Sequence, residues 1–236
     1  MITQNLIENR IHSFWGYGNL HSNTWFIGME EGFHGSLEDL EDRLKQTMDK
    51  SVIDLQDDMR DVQDHMKWFS ETSHVQPTWG KLIFILLSLS FKNTSNDQIK
   101  KYQRKEFGRL KSDHCSLEFM PLPCRSTSKA DWFYNKFGID YLANRKSYIE
   151  KVMPTRIILF RKLIDEYNPK VVVMYSLSYK HEWQKIIGCE TEKIGDVYYA
   201  KQCKTNFFII PHSTAHGKTN DDWTKIAETI KRLATQ

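Results

Sequence analysis

Cysteine is scarce in this chain and never clustered. The four present (Cys115, Cys124, Cys189 and Cys203) form no Cys-x-x-Cys pair. A disulfide framework or a structural zinc site needs tighter spacing or histidines in register, so the thiols read as buried or idle. Long apolar runs are also missing. The longest, Leu82 to Leu89, is interrupted by Ser88 and falls well short of the roughly 20 residues of a membrane span. The first ten residues, MITQNLIENR, lack a signal-peptide pattern, so the expected location is the cytoplasm, with no membrane partner. Neither a Walker-type glycine loop nor a Gly-x-Gly-x-x-Gly fingerprint occurs, which argues against the common nucleotide-binding classes. Repeats, low-complexity tracts and linkers are absent, and 236 residues suit one domain with a sizeable core.

What is present is an ordinary globular composition, 40% hydrophobic and 13% aromatic. The net charge of +3 says little about partners, but the distribution says more. Residues 38–64 are acidic (Glu38, Asp39, Glu41, Asp42, Asp49, Asp54, Asp57, Asp58, Asp61, Asp64), which leaves the remainder more basic than the total. Lys100, Lys101, Arg104, Lys105, Arg109 and Lys111 form one basic stretch, with Arg125, Lys129 and Lys136 further on. Such stretches either engage phosphates or form a solvated face.

Short apolar runs alternate with longer amphipathic segments. Strands are expected at Thr24–Gly28, His114–Met120, Lys170–Tyr175 and Asn206–Ile210, with an edge strand or hairpin arm at 195–200. One or two polar helices are expected across 36–70. Others follow from Pro77, proline suiting a first turn, and at 96–110 with Asn96 as cap. A long helix is expected at 140–167, bent near Pro154, then helices at 181–187 and from Asn220 or Asp221 to Ala234. This alternation implies an α/β fold: three layers, α/β/α, around a central, mainly parallel four-stranded sheet. The whole chain, 1–236, forms one domain, with 36–70 as a helical insertion.

Two of the strands end in turns rich in chemistry. The first runs into Gly28-Met29-Glu30-Glu31-Gly32, the last into Pro211-His212-Ser213-Thr214-Ala215-His216-Gly217. In a parallel sheet, strands remote in sequence lie side by side, and ligands bind at their carboxyl ends. A carboxylate would then face a histidine across one pocket. Glu30 or Glu31 could orient water or stabilise a developing cation, or the pair could form a solvent-facing acidic turn. His212 could donate to an oxygen gaining charge, or be a structural histidine at a strand end. The small residues beyond it let a backbone approach a phosphate closely.

The first turn resembles the first motif of the uracil-DNA glycosylase superfamily, a glycine-bracketed turn holding the water-activating Asp, Asn or Glu. Pro211-His212-Ser213-Thr214 resembles its second motif, usually His-Pro-Ser. The strand ending at Met120 before Pro121-Leu122-Pro123, and the order of elements after it, fit as well, so the likeness spans about Trp25 to Trp223.

The resemblance implies a monofunctional DNA glycosylase, which flips a nucleotide out of double-stranded DNA, or takes it from a single strand, and hydrolyses the bond between base and deoxyribose. Glu30 takes the water-orienting place, with Glu31 second, and His212 bonds the base oxygen. Gly28, Met29, Glu118 and Phe119 form the base pocket. Ser213 and Thr214 hold phosphate, and Ala215-His216-Gly217-Lys218 probes the duplex.

The chain departs from the family pattern at four places. Glu31 replaces the usual proline, and no proline follows His212. Glu118 stands where a base-reading asparagine is expected. Without the N-terminal cysteine pair of the iron–sulfur branch, no cluster, metal or other cofactor is expected. An acidic reader accepts from a donor such as a cytosine amino group, so the expected base is a modified pyrimidine, such as a hypermodified cytosine in phage DNA, or uracil. A modified target in phage DNA would make the chain a monomeric antiviral defence factor. A non-catalytic nucleic-acid-binding protein of the same fold and a small-molecule nucleoside hydrolase are the alternatives.

Overall fold

The computed structural model describes residues 1–33, 36–60, 65–91, 93–125 and 132–235. Its centre is an eight-stranded mixed sheet of order β3-β1-β4-β2-β5-β8-β7-β6. The strands are β1 Gly16–Gly18, β2 Thr24–Gly28, β3 Val52–Ile53, β4 His114–Glu118, β5 Val171–Tyr175, β6 Glu192–Ile194, β7 Val197–Gln202 and β8 Thr205–Ile210. The expected four-stranded sheet is therefore only its middle. β4, β2, β5 and β8 run parallel, with Ile27 opposite Leu117 and Met174, and Met174 opposite Ile209. Antiparallel pairing adds β1 beside β4 on one flank and the β7–β6 arm beside β8 on the other.

The middle strands are buried throughout because helices cover both faces, and β5 accordingly reads as an unbroken apolar run. Side chains alternate between the two faces. Trp25, Ile27, Val172, Met174, Phe207 and Ile209 enter one core with α1 (Gln4–Ser13), α2 (Leu37–Gln46), α6 (Arg145–Tyr167) and α7 (Lys180–Ile187). Phe26, Val173, Tyr175, Phe208 and Ile210 enter the other with α4 (Pro77–Ser90) and α8 (Asn220–Ala234). α3 (Leu55–Met59) and α5 (Asn96–Lys105) flank that second core.

Helix starts follow capping chemistry more than periodicity. Ser95, not Asn96, caps α5 in a reciprocal box with Gln98, and Thr219, ahead of Asn220, does the same for α8 with Asp222. Asn144 accepts from the Ser147 amide at 3.0 Å and so starts α6 at Arg145; only a single 3₁₀ turn occupies Asp140–Leu142. Pro154 lies inside α6 on its exposed side, where water can satisfy the carbonyl it leaves unpaired. Region 36–70 holds two α-helices, α2 and α3, as well as the short β3 and a 3₁₀ turn at His65–Phe69, while 61–64, with Asp61 and Asp64, lie outside the described residues. Lys129 lies outside them too. Among the described residues no helix is long and apolar enough to cross a membrane.

Candidate active site at the carboxyl ends of the parallel strands

All four parallel strands deliver polar residues to one end of the sheet. Glu30 and Glu31 follow β2, Glu118 ends β4, Tyr175 ends β5 with Ser176 after it, and His212 follows β8. The chain order reverses direction across the β2–β5 pair, the place where open α/β sheets leave a crevice. Here that crevice is a cavity of about 1100 Å³ lined by Glu30, Glu31, Glu118, Tyr175, Ser176 and His212. The two sequence-distant turns therefore do meet.

Glu30 is held from one side only. Arg145, the first residue of α6, donates from Nη2 to Glu30 Oε1 at 2.5 Å. Oε2 is buried and has no hydrogen-bond partner among the described residues. Burial raises the Glu30 pKa above the usual carboxylate range, and Arg145 opposes that rise without cancelling it. A carboxylate with one anchored oxygen and one free oxygen is built to hold a small donor such as water.

Glu31 has a different occupation. It pairs with the buried guanidinium of Arg10, with Arg43 at 3.1 Å and with the Tyr17 hydroxyl. Tyr17 also reaches Asp58 at 2.7 Å. One phenol proton cannot serve two carboxylates at once, and burial together with the Glu31 charge raises the Asp58 pKa to about 6. Arg10 continues the network to the Pro121 carbonyl at 2.9 Å and Thr47 at 3.0 Å. Glu31 thus ties β2 to α1 and α2, and both of its oxygens are committed.

His212 is placed by its own loop. The Thr214 amide donates to Nδ1 at 3.2 Å, and the Thr214 hydroxyl lies 2.9 Å from the same nitrogen. An accepting Nδ1 puts the proton of the neutral ring on Nε2. Desolvation lowers the His212 pKa, so the ring presents a neutral N–H donor. Its ring packs beside Tyr175 with centroids 5.8 Å apart. Tyr175 in turn requires Gly28, since a Cβ there would stand 2.1 Å from the phenol oxygen. Gly28 thus shapes the pocket indirectly, while Met29 lines it.

Glu118 is only 6% exposed, and its Oε2 is buried without a partner among the described residues. Burial, with Glu30 and Glu31 nearby, pushes its carboxyl up to about 8. Arg156 fixes the strand end below it, donating to the main-chain carbonyls of Glu118 at 2.6 Å and Phe119 at 2.8 Å.

Several expected site residues stand elsewhere. Phe119 does not reach the pocket; strand alternation turns it to the other face, where it packs on Phe160 and Trp183 with no exposure. Ser213 is buried instead of presented to phosphate, and Lys218 pairs with Asp196 at 2.7 Å. Thr214 and His216 line the cavity. Of the basic stretch, Arg104 pairs with Glu71 at 2.5 Å and Arg109 with Asp54 at 2.8 Å.

The structure adds residues that sequence order alone does not reveal. Arg145 carries no signal of its own, being one arginine among many. Ser176 adopts φ +123° at the pocket wall, a conformation costly for a side-chain-bearing residue and frequent at functional sites. Region 36–70 contributes Arg43, Leu55, Met59, His65 and Trp68 to the lining. Among the described residues no group of three His, Cys, Asp or Glu side chains could share a metal ion. No known protein-family model matches the chain, and no curated protein matches it by sequence.

Proposed function

We propose that this chain is a monofunctional DNA glycosylase, a divergent member of the uracil-DNA glycosylase superfamily, working as a cytoplasmic monomer on DNA. One observation carries the reading: Glu30, with one oxygen unpartnered among the described residues, and His212, with a neutral Nε2–H, border one roomy cavity. The bond from C1′ to the base breaks as the sugar becomes oxocarbenium-like and the base gathers charge. His212 donates to the base oxygen where that charge collects. Glu30 orients water on the sugar carbon and accepts its proton as the new C–O bond forms. Thr214, His216 and Arg125 stand at the same cavity, where an extruded nucleotide and its phosphates would enter.

Size supports a bulky target. About 1100 Å³ exceeds the usual range for small-molecule sites and is more than a bare pyrimidine ring fills, and region 36–70 supplies part of the wall. A modified pyrimidine of the kind carried in phage DNA suits that space, which would make the protein a defence factor; uracil is the smaller candidate. The test is incubation with oligonucleotides carrying uracil, mismatches or substituted cytosines, followed by alkali. Strand breakage at the modified position is expected from the wild type and not from Glu30→Gln, which should still bind the DNA. Intact strands on every substrate would overturn the proposal.

A further inference from the structure

We propose that Glu118 reads the hydrogen-bonding edge of a cytosine-type base and donates a proton to its N3 as the glycosidic bond breaks. This rests on the glycosylase reading and names its substrate class. Glu118 ends the strand next to β2, 94% buried by its 6% exposure, with Oε2 unpartnered among the described residues and the side chain lining the cavity. A buried polar atom with no partner is costly, and here the missing partner is the ligand.

The groups around Glu118 decide its protonation state. Glu30 and Glu31 face it from the β2 turn, Arg10 from α1, Arg156 from α6 and Tyr175 from β5. Both arginines are engaged elsewhere: Arg10 with Glu31, Arg156 with main-chain carbonyls. Two carboxylates and a desolvated position therefore outweigh them, and the carboxyl holds its proton up to about pH 8.

A protonated carboxyl offers one donor and one acceptor side by side. Cytosine presents a bare N3 acceptor beside an amino donor, and the two edges match. Departure of cytosine places the C1′–N1 electron pair on a ring with a single carbonyl, O2, to carry the charge, where uracil has two. Transfer of the Glu118 proton to N3 lets the base leave neutral, Glu118 ends as carboxylate, and the water proton goes to Glu30. Solvent exchange then returns both groups to their starting states. Uracil already carries a proton at N3, so its release needs none from Glu118.

The experiment measures single-turnover release of cytosine, 5-methylcytosine, 5-hydroxymethylcytosine and uracil from oligonucleotides by wild type and Glu118→Gln between pH 6 and 10. Glutamine keeps a donor and an acceptor but has no transferable proton. Wild type should release a cytosine-type base, with the rate falling about tenfold per pH unit above about pH 8. Glu118→Gln should bind the same DNA but release that base at least ~100-fold more slowly, with the alkaline limb gone and any uracil release retained. Should the variant fold poorly by circular dichroism, the wild-type profiles decide, since the alkaline limb must appear for the cytosine-type base and not for uracil. Release of uracil alone, an unslowed variant, or identical pH profiles would overturn the role of Glu118 and leave the glycosylase reading standing. Release of nothing would end both.

Discussion

Arg145 grips one oxygen of Glu30 at 2.5 Å and leaves the other buried, with no partner among the described residues. The two residues are far apart in sequence and meet only because α6 starts beside the β2 turn. Arg145 lowers the Glu30 pKa against the larger upward effect of burial. Arg145→Met removes that counterweight, so the Glu30 pKa climbs further and less of it is ionised at a given acidic pH. The acidic limb of the base-release profile should move to higher pH, so the variant loses most rate at the acid end of the profile and least at the alkaline end. A profile displaced downwards, or unmoved, would rule out Glu30 as the group whose ionised form matters.

Glu31 should behave as a structural residue despite its place beside Glu30. Removing its charge leaves Arg10 and Arg43 buried without their shared partner, and breaking a buried pair costs about 3–5 kcal/mol. Glu31→Gln should therefore lower the melting temperature by roughly 6–20 °C at a few degrees per kcal/mol. The fraction that stays folded should keep most of its base release, whereas Glu30→Gln should keep its stability and lose release by ~100-fold or more. The opposite pattern would exchange the two roles.

The same residues show what sequence could and could not reveal. The parallel strands were legible because burial on both faces writes unbroken runs such as Val171-Val172-Val173-Met174-Tyr175. β1 and β3 span only three and two residues, too short to carry a period. α1 hides because Arg10, a charge with no exposure, occupies its inner face. Glu30 and His212 were legible from their places at strand ends. The division of labour between Glu30 and Glu31 was not, because it depends on Arg145, Arg10 and Arg43 arriving from three different helices. Phe119 and Ser213 misled for a related reason: a motif gives the order of residues, and strand pleat and loop course decide which way each one faces.

His212 acts as a neutral donor in this reading, with its tautomer set by the Thr214 amide. His212→Ala should cost ~100- to 1000-fold in base release, the usual effect of deleting one donor to developing negative charge. Its lowered pKa places the charged form below the ordinary histidine range, so release between pH 6.5 and 8 should show no limb that disappears in His212→Asn. Single-turnover rates for the two variants across that window provide the check.

Gly28 and Tyr175 should be energetically coupled. A methyl group at Gly28 would overlap the Tyr175 phenol, 2.1 Å from its oxygen and 2.5 Å from its ring carbon, so Gly28→Ala must displace a side chain that packs beside His212. Overpacking of this kind costs about 1–3 kcal/mol. Tyr175→Leu shortens the side chain and should relieve the clash, making the double variant less destabilised than the two single effects added together. Denaturant melts of the three variants give the coupling directly; simple additivity would mean that the two side chains do not share that space.

Glu118 should make the fold itself sensitive to alkali. Its carboxyl titrates near the ordinary glutamate value of 4.5 when unfolded but at about 8 when folded, so the folded state binds the proton more tightly. The associated stability is fully present below about pH 4.5 and drains away as pH rises to about 8. Above that, the protein carries a desolvated carboxylate at a cost on the order of a few kcal/mol. Glu118→Gln cannot ionise and escapes that cost. Its melting temperature relative to wild type should therefore climb steadily from pH 5 to pH 9, by several degrees in total, whatever fixed offset the substitution introduces. A constant difference across that range would show that Glu118 is already ionised in the folded protein and has no proton to give to a departing base.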